Sequence, residues 1–304
     1  MGDGAAESRG EEARLSAFLG ERKRLLRLAY RYLGSVSEAE DAVQDAWLRF
    51  AASAEDPDHA GRYLSRIVTN LCLDRLKAAR ARRERYVGPW LPEPLVEAAG
   101  AVEPDTSDAA LDISFGVMRA LERLSPLERA ALFLHDLYDL SFEEVGETLK
   151  RSPAACRQMA SRARRSLRQG GARFQPSEAD VARFVAGFAE TARTGDVEPL
   201  KKLLAADVDF VSDGGGKVTA ALNVVSGADK VARLLLGLSR KSAARASVSI
   251  LPAAINGGPG LIVRLDRRID HTMAFSVDGA GAIAAIYVVR NPDKLRAVPQ
   301  AGEP

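Results

Sequence analysis

The chain has 304 residues, enough for two or three domains, and its 46% hydrophobic and 28% charged residues argue against wholesale disorder. Two cysteines, three scattered histidines and the lack of any run near 18 apolar residues exclude a disulfide scaffold, a metal site and a transmembrane helix. The 43 basic and 41 acidic residues nearly cancel, so we expect a soluble cytoplasmic protein without cofactor or membrane partner, whose charges are informative only segment by segment.

After a tail at residues 1–9, expected to be disordered, residues 10–88 have the composition of a helical module. Residues 38–58 hold seven acids and one base, whereas residues 62–85 hold eight bases and two acids. Ser37 is the expected N-cap of the acidic helix. The apolar stripe of the basic helix is predicted at Tyr63, Ile67, Leu71 and Leu76. Polar and aromatic side chains on a basic helix suit DNA bases that are splayed out of the stack.

Residues 89–111 are predicted to be a linker, because six acids and three prolines occur between residues 91 and 112 without a base. Within it, the motif WLPEP (residues 90–94) places Trp90 and Leu91 on a stiff, extended segment. Such large apolar side chains are poorly solvated, so we expect them to pack on the C-terminal module; packing on the first module is the alternative.

Residues 112–172 are predicted to form a second helical module with a helix-turn-helix. Ser125 with Glu128, and Ser141 with Glu144, have the spacing of capping boxes. A helix over Phe142–Leu149, a turn, and an arginine-rich helix over residues 153–168 follow. Donors near the start of the last helix suit base edges, and its later arginines suit phosphates. An ordinary helical hairpin with an exposed basic face is the alternative.

Residues 177–297 are predicted to form an α+β module, followed by a tail at residues 298–304. Helices are expected at residues 177–194, 197–205 and 228–241, and strands at VDFVSD, GLIVRLD, HTMAFSVD and AIAAIYVV. The three glycines of DGGGK (residues 213–217) predict a tight exposed turn. The motif NPDKL (residues 291–295) predicts a turn that ends the last strand.

DAVQDAWLRF, YLSRIVTNLCLDRLKAARARR and the helix-turn-helix together resemble the bacterial extracytoplasmic-function sigma factors, with their helical regions 2 and 4. The resemblance implies a transcription initiation factor without catalytic activity that binds promoter DNA and the β′ clamp helices and β flap of RNA polymerase core. Implied polymerase contacts are Asp41, Gln44, Asp45 and Trp47. Implied contacts to the −10 element are Arg62, Arg66, Asn70, Asp74, Arg75 and Arg80. Implied contacts to the −35 element are Arg157, Gln158, Ser161, Arg162 and Arg165, with Arg164 as a further phosphate candidate.

WLPEP, DGGGK and NPDKL resemble the subgroup that carries a C-terminal SnoaL-like cone, similar to nuclear transport factor 2. The implied fold is therefore multidomain, with two all-α modules and one α+β cone. The resemblance also implies regulation by the fused domain instead of a separate anti-sigma factor, and the cone offers a place for a small ligand. The residues implied in regulation are Trp90, Leu91, Pro92, Glu93, Pro94, Asp213, Gly214, Gly215, Gly216, Lys217, Asn291, Pro292, Asp293, Lys294 and Leu295.

Two other functions are open. A cyclase or isomerase would use a pocket carboxylate as general acid or base, and Asp209, Asp266, Asp270 and His271 are the candidates. Because neighbours on a strand point to opposite faces, Asp270 and His271 are not expected to form a dyad. A simple repressor would use the helix-turn-helix alone, which leaves the acidic helix unexplained.

Overall fold

The computed structural model describes residues 3–53, 59–83, 86–97, 113–169 and 174–299. They divide into two compact units. The helical unit contains residues 3–53, 59–82 and 120–169. The mixed unit contains residue 83 and residues 86–97, 113–119 and 174–299. Most of the predicted linker, residues 98–112, lies outside the described residues.

The helices of the N-terminal half carry both predicted helical modules. They are α1 (Asp3–Leu33), α2 (Val36–Ala51), α3 (Ala60–Arg83), α4 (Phe115–Glu122), α5 (Pro126–Asp136), α6 (Phe142–Leu149) and α7 (Pro153–Gln169). Helix α1 begins at Asp3, within the segment for which the sequence predicts a tail. The N-cap of α2 is Ser35, not Ser37 as predicted, because the Ser35 hydroxyl accepts the N–H of Glu38.

The buried face of α3 differs from the predicted stripe. Tyr63, Ile67 and Leu71 are only half-buried. The buried apolar positions are Ala60, Leu64, Val68, Cys72 and Leu76. Leu76 was predicted, whereas Leu64, Val68 and Cys72 each lie one residue after a predicted position. Both stripes are apolar at helical spacing, so periodicity alone could not choose between faces about 100° apart.

The helix-turn-helix has the predicted boundaries. Helix α6 covers Phe142–Leu149, and Ser125 and Ser141 both form complete capping boxes. Helix α6 ends at Lys150, whose φ of 54° is left-handed. The turn that follows returns so closely that a Cβ on Gly146 would lie 2.6 Å from the Arg151 carbonyl oxygen. This approach is how the turn brings α7 against α6.

The mixed unit is a seven-stranded sheet with helices on one face. Its strands are β1 (Val96–Glu97), β2 (Leu204–Asp213), β3 (Val225–Ser226), β4 (Val248–Ile255), β5 (Gly258–Leu265), β6 (Arg268–Val277) and β7 (Ile283–Val289). The sheet order is β1-β4-β5-β6-β7-β2-β3, and only the β2–β7 pair is parallel. Its helices are α8 (Glu178–Thr194), α9 (Glu198–Lys201) and α10 (Ala228–Ala243).

Each face of the sheet has its own apolar core. Val181, Phe184, Leu200 and Val231 of the helices pack with inward residues of the strands on one face. On the other face, Leu91 of the linker packs with Phe115, Leu295 and Val298 against the sheet. The linker and the C-terminal segment thus act as the second covering layer, which confirms that WLPEP packs on the C-terminal module.

Four elements of the mixed unit differ from the prediction. The helix expected at residues 197–205 ends at Lys201, because Leu204 pairs with Ile283 of β7 and starts β2. Strands β1, β3 and β4 were not predicted. Strand β4 contains Pro252, which weakens a strand pattern, yet it is tolerated because this strand lies near the edge of the sheet.

Gly146→Ala should destabilise the helix-turn-helix by about 1–3 kcal/mol, since the added methyl group overpacks the turn. Gly237→Ala is the matched control: its added Cβ meets nothing within 4 Å in the exposed face of α10. Alanine there should stabilise the helix by up to about 1 kcal/mol. Hydrogen exchange of the α6 and α10 amides under increasing urea measures both effects. Equal effects of the two substitutions would contradict the steric explanation.

Candidate functional site

The acidic helix α2 presents a partly apolar surface. Asp41 and Gln44 are exposed, and Leu48, one turn further along, is 60% exposed. Trp47 is half-buried, with its ring 4.9 Å from that of Phe18. Sequence reasoning missed Leu48, although its spacing from Gln44 already placed it on this face. An exposed leucine between polar side chains suits a protein partner.

Two residues with different expected roles brace α2 against α3. Arg75 Nη2 is 2.7 Å from Asp45 Oδ2, and Arg75 Nη1 donates to the Glu38 carbonyl oxygen at 2.7 Å. The predicted polymerase contact and the predicted −10 contact are therefore bound to each other. On the exposed side of α3, Asn70 is open to solvent and Asp74 pairs with Lys77. The Arg80 side chain lies outside the described part.

At the start of α3, Arg62 and Arg66 face a carboxylate of α6. Glu144 Oε1 is 2.9 Å from Arg66 Nη2 and 3.5 Å from Arg62 Nη1. The backbone N–H of Ser141 is the main group that lowers the pKa of Glu144, and the two arginines act in the same direction. The carboxylate therefore stays charged at neutral pH.

Helix α7 exposes most of the predicted −35 contacts. Gln158, Ser161 and Arg165 are exposed. The Arg157 guanidinium lies over the Phe142 ring at 5.1 Å, which orients the first arginine of the helix. Arg162 is 58% exposed, and its Nε is 2.8 Å from Glu128 Oε1.

Helix α7 is also bound to α5 at Arg164. Its guanidinium forms an ion pair with Asp136, and Asp136 raises its pKa. Ion pairs of Arg162 and Arg164 thus anchor α7, and the predicted base-edge donors Gln158 and Ser161 remain exposed to solvent.

The mixed unit contains a second constellation, centred on the buried carboxylate of Asp213. One oxygen, Oδ1, accepts the Tyr86 hydroxyl at 2.6 Å and the Gly215 N–H at 3.0 Å. The other, Oδ2, accepts the Leu91 N–H at 2.8 Å and lies 2.8 Å from Lys294 Nζ. We call this set of five residues the linker lock.

The linker lock joins all three motifs that the sequence singled out. Lys294 Nζ also donates to the Leu91 carbonyl oxygen and lies 4.1 Å from the centre of the Trp90 ring. Its cation is thus held by a carboxylate, a carbonyl and an aromatic face. The Asp213 carbonyl oxygen accepts the N–H of Asn291, which ties NPDKL to the end of β2.

Tyr86 is a member of the linker lock that sequence reasoning missed. Its hydroxyl accepts a hydrogen bond from Asn291 Nδ2 at 2.8 Å while it donates to Asp213. Burial raises the pKa of Tyr86, and the hydrogen bond to Asp213 raises it further, so it remains a neutral donor. Only its position just before WLPEP could have drawn attention to it.

The backbone geometry of the DGGGK turn explains why it contains glycines. Gly215 and Gly216 have φ values of 60° and 70°, and a Cβ on Gly215 would lie 2.3 Å from Asn291 Nδ2. The expected exposure holds for Lys217, which pairs with Asp293 of NPDKL. The turn therefore packs closely against NPDKL.

The candidate catalytic residues are arranged differently from the prediction. His271 Nδ1 and Asp270 Oδ2 are 2.7 Å apart, so the expected separation of this pair was wrong. A bulge explains it: Val263 pairs with His271 and Arg264 with Ile269, which leaves Asp270 without a partner residue on β5. Burial acts to raise the pKa of Asp270, but hydrogen bonds from His271 and Arg290 outweigh it and lower the pKa to about 2.

The other two carboxylates have structural partners. Asp209 Oδ1 accepts the Ser226 hydroxyl at 2.7 Å. Its neighbours Val208 and Phe210 both point into the helix-covered core, so alternation directs Asp209 to the opposite face. Asp266, at a φ of 48°, accepts the Ser247 N–H at 2.9 Å in the β5–β6 turn.

Comparison with known proteins shows the family of this chain. The model of sigma-70 region 2 matches residues 18–82, and that of sigma-70 region 4 matches residues 115–167. The ECF RNA polymerase sigma factor SigJ of Mycobacterium tuberculosis is 37% identical over 297 residues, which cover 94% of either chain. The chain belongs to the extracytoplasmic-function sigma factors. Like other members, this sigma factor directs promoter recognition and transcription initiation with RNA polymerase core.

Two further comparisons separate the parts of this sigma factor. The ECF sigma factor SigE of Mycolicibacterium smegmatis is 34% identical over 163 residues, which are 52% of this chain and 62% of that one. The crystal structure of SigJ matches with a TM-score of 0.73 at 34% identity, over 94% of this chain and 99% of that one. The similarity to SigJ therefore includes the mixed unit. None of the helices in the described ranges is long and apolar enough to cross a membrane.

Asp213→Asn should release residues 86–97 from the sheet. It leaves the cation of Lys294 without its buried carboxylate, a loss that costs about 3–5 kcal/mol in buried pairs. Hydrogen exchange of the Leu91 amide, which donates to Asp213, measures the release directly. Asp293→Asn is the control, because that carboxylate is exposed and its loss should leave the Leu91 amide protected. Protection of Leu91 in both variants would show that the linker does not depend on the lock.

Proposed function

We propose that the helical unit divides its work between two macromolecules. The exposed face of α2, with Asp41, Gln44 and Leu48, binds the β′ clamp helices of RNA polymerase core, and region 4 binds the β flap. Acidic and apolar side chains side by side on one helix support a protein partner and disfavour DNA. Because this partner is the transcription machinery, the protein acts in the cytoplasm.

The two basic helices are assigned to the two promoter elements. Helix α3 opens and reads the −10 element through Arg62, Arg66 and Asn70, and helix α7 reads the −35 element through Arg157, Gln158 and Ser161. The single observation that carries this assignment is the exposure of the donors at the N-terminal half of α7, with Arg164 anchored behind them.

The mixed unit is proposed to regulate the sigma factor, in place of a separate anti-sigma factor. The chain runs from α3 into the linker, and the linker lock holds that linker on the sheet of the mixed unit. Any change at the lock therefore alters the chain that connects region 2 to region 4. The buried, fully hydrogen-bonded carboxylate of Asp213 supports a regulatory role of the linker. Such a group is stable only while all of its hydrogen-bond partners keep one arrangement.

We propose that the mixed unit has no catalytic activity. Asp270 is held as an ion by His271 and Arg290, with a pKa of about 2, so it is a poor proton carrier at neutral pH. Asp209 and Asp266 are occupied by Ser226 and Ser247. A small ligand bound by the mixed unit would act as a regulator without turnover.

Run-off transcription tests the whole proposal. Sheared genomic DNA of the source organism is transcribed with core polymerase alone, with core and the full-length protein, and with the protein alone, and the 5′ ends are sequenced. We expect a shared promoter sequence only when core and the protein are both present. Specific DNA binding without core, and no transcript with it, would favour a simple repressor.

Arg157→Ala should weaken binding to the −35 duplex by about 1–3 kcal/mol if the guanidinium contacts a base edge, and should relax preference at one position. Arg193→Ala in the mixed unit, where the exposed Arg193 pairs with Glu190, is the control. Binding to the duplex recovered from the run-off experiment is measured by fluorescence anisotropy. A uniform loss over all sequences would instead assign Arg157 to a phosphate.

Trp90→Ala should change the amount of transcript without changing the promoter sequence selected. It removes the aromatic face over Lys294 and loosens the linker lock, while the sequences of α3 and α7 stay unchanged. The run-off assay measures yield and sequence together, with Arg193→Ala on the exposed side of α8 as the control. A shifted consensus would contradict a purely regulatory role of the linker.

A further inference from the structure

A carboxylate of the helix-turn-helix holds two arginines of region 2. Glu144 Oε1 contacts Arg66 at 2.9 Å and Arg62 at 3.5 Å. Its other oxygen, Oε2, accepts the Ser141 N–H at 2.8 Å as part of the capping box. A single side chain therefore caps α6 and binds α3, and its geometry is set by the helix it caps.

Other contacts within the helical unit hold region 4 against region 2. Arg62 Nη2 donates to the Asp139 carbonyl oxygen at 3.0 Å. Arg129 of α5 is 5% exposed and donates to the Tyr32 carbonyl oxygen, at the C-terminal end of α1, at 2.8 Å. These bonds use backbone acceptors, whereas Glu144 contributes a charged side chain that pairs with Arg62 and Arg66.

The pair Arg62 and Arg66 is suited to an oxyanion. The two residues are one helical turn apart and converge on one oxygen. Guanidinium groups bind carboxylate and phosphate oxygens with the same geometry. An open groove of about 570 Å³ is lined by Arg62, Glu144 and the α5–α6 connection, so solvent and ions reach the ion pair at Arg62 and Glu144.

The contact between region 4 and α3 of region 2 is incompatible with binding both promoter elements at once. The −10 and −35 elements are about 25 base pairs apart, which is roughly 85 Å of duplex at ~3.4 Å per base pair. Helix α6 belongs to the helix-turn-helix that reads the −35 element, yet it lies in direct contact with α3. Region 4 must therefore leave α3 before both elements are bound.

We propose that Glu144 is an intramolecular substitute for a DNA phosphate: it occupies the oxyanion site of Arg62 and Arg66, so that the helix-turn-helix and the backbone of the −10 strand compete for the same two guanidinium groups. This inference rests on the proposed assignment of α3 to the −10 element. Because the two binding events exclude each other, DNA that takes the site releases region 4, and release of region 4 opens the site.

The test compares Glu144→Gln with Glu147→Gln in the full-length protein. Glutamine at the third helical position preserves a capping box, so the first variant removes the charge and keeps the cap. Glu147 is exposed on the same helix and takes part in none of the ion pairs found among the described residues, so it controls for net charge. The probe is a fluorescein-labelled, random-sequence, single-stranded 20-mer.

We expect Glu144→Gln to bind this probe about two- to fivefold more tightly than the unaltered protein, the range for loss of one competing ion pair. Glu147→Gln removes the same negative charge. At the same salt concentration, its affinity for the probe should rise only by the amount that this change in net charge causes. Equal gains in the two variants would overturn the competition.

A second measurement does not depend on DNA. Spin labels on Arg49→Cys of α2 and Ala154→Cys of α7, both exposed positions, report the separation of regions 2 and 4. The native Cys72 and Cys156 are buried, and burial raises the pKa of both thiols, so the engineered thiols are labelled selectively.

Glu144→Gln should enlarge the population at longer distances, and Glu147→Gln should not. An unchanged distance distribution overturns the role of Glu144 whatever the DNA result. A longer distance without tighter DNA binding overturns the assignment of α3 to the −10 strand, and with it the competition.

Discussion

The buried carboxylate of Asp213 is the interaction on which the linker lock depends. Moving an ion out of water is unfavourable unless other groups replace its hydration, and Asp213 is completely buried. Its two oxygens accept four donors, from Tyr86, Leu91, Gly215 and Lys294. These donors come from three segments of the sequence, residues 86–97, the glycine turn and the C-terminal segment. The carboxylate can therefore be stable only when linker, glycine turn and C-terminal segment are all in place.

This requirement explains the composition of the three motifs. Two glycines let the turn fold back within reach of Asn291, and Trp90 covers the cation of Lys294. Leu91 contributes twice, through its backbone to the carboxylate and through its side chain to the apolar core on that face of the sheet. Polar and apolar contacts thus fix the same segment, as the proposed regulatory role of the linker requires.

The helical unit uses charged capping residues in a similar double way. Glu128 and Glu144 occupy equivalent positions in two capping boxes, and each also pairs with a predicted DNA contact, Glu128 with Arg162 and Glu144 with Arg66. Burial opposes ionisation of Glu128, but its hydrogen bonds with Ser125 and Arg162 outweigh burial and lower its pKa. A carboxylate fixed by a helix terminus has little side-chain entropy left to lose, so it competes well for a guanidinium group.

The amino-acid sequence alone determined the local features of this protein. Serine and glutamate three residues apart predicted where α5 and α6 begin, and the boundaries of α6 were predicted correctly because caps and turns act over a few residues. The three motifs could also be found in advance, because they resemble the signatures of the subgroup that carries a SnoaL-like domain.

Only the tertiary structure decided which partners those residues meet. The pairing of Leu204 with β7 shortened α9, and a bulge at Asp270 joined two neighbours that alternation would separate. The buried face of α3, the role of Tyr86 and the contact of Glu144 with α3 likewise depend on residues far along the chain. Sequence periodicity describes one element at a time, whereas packing and hydrogen bonding between elements select the face, the register and the partner.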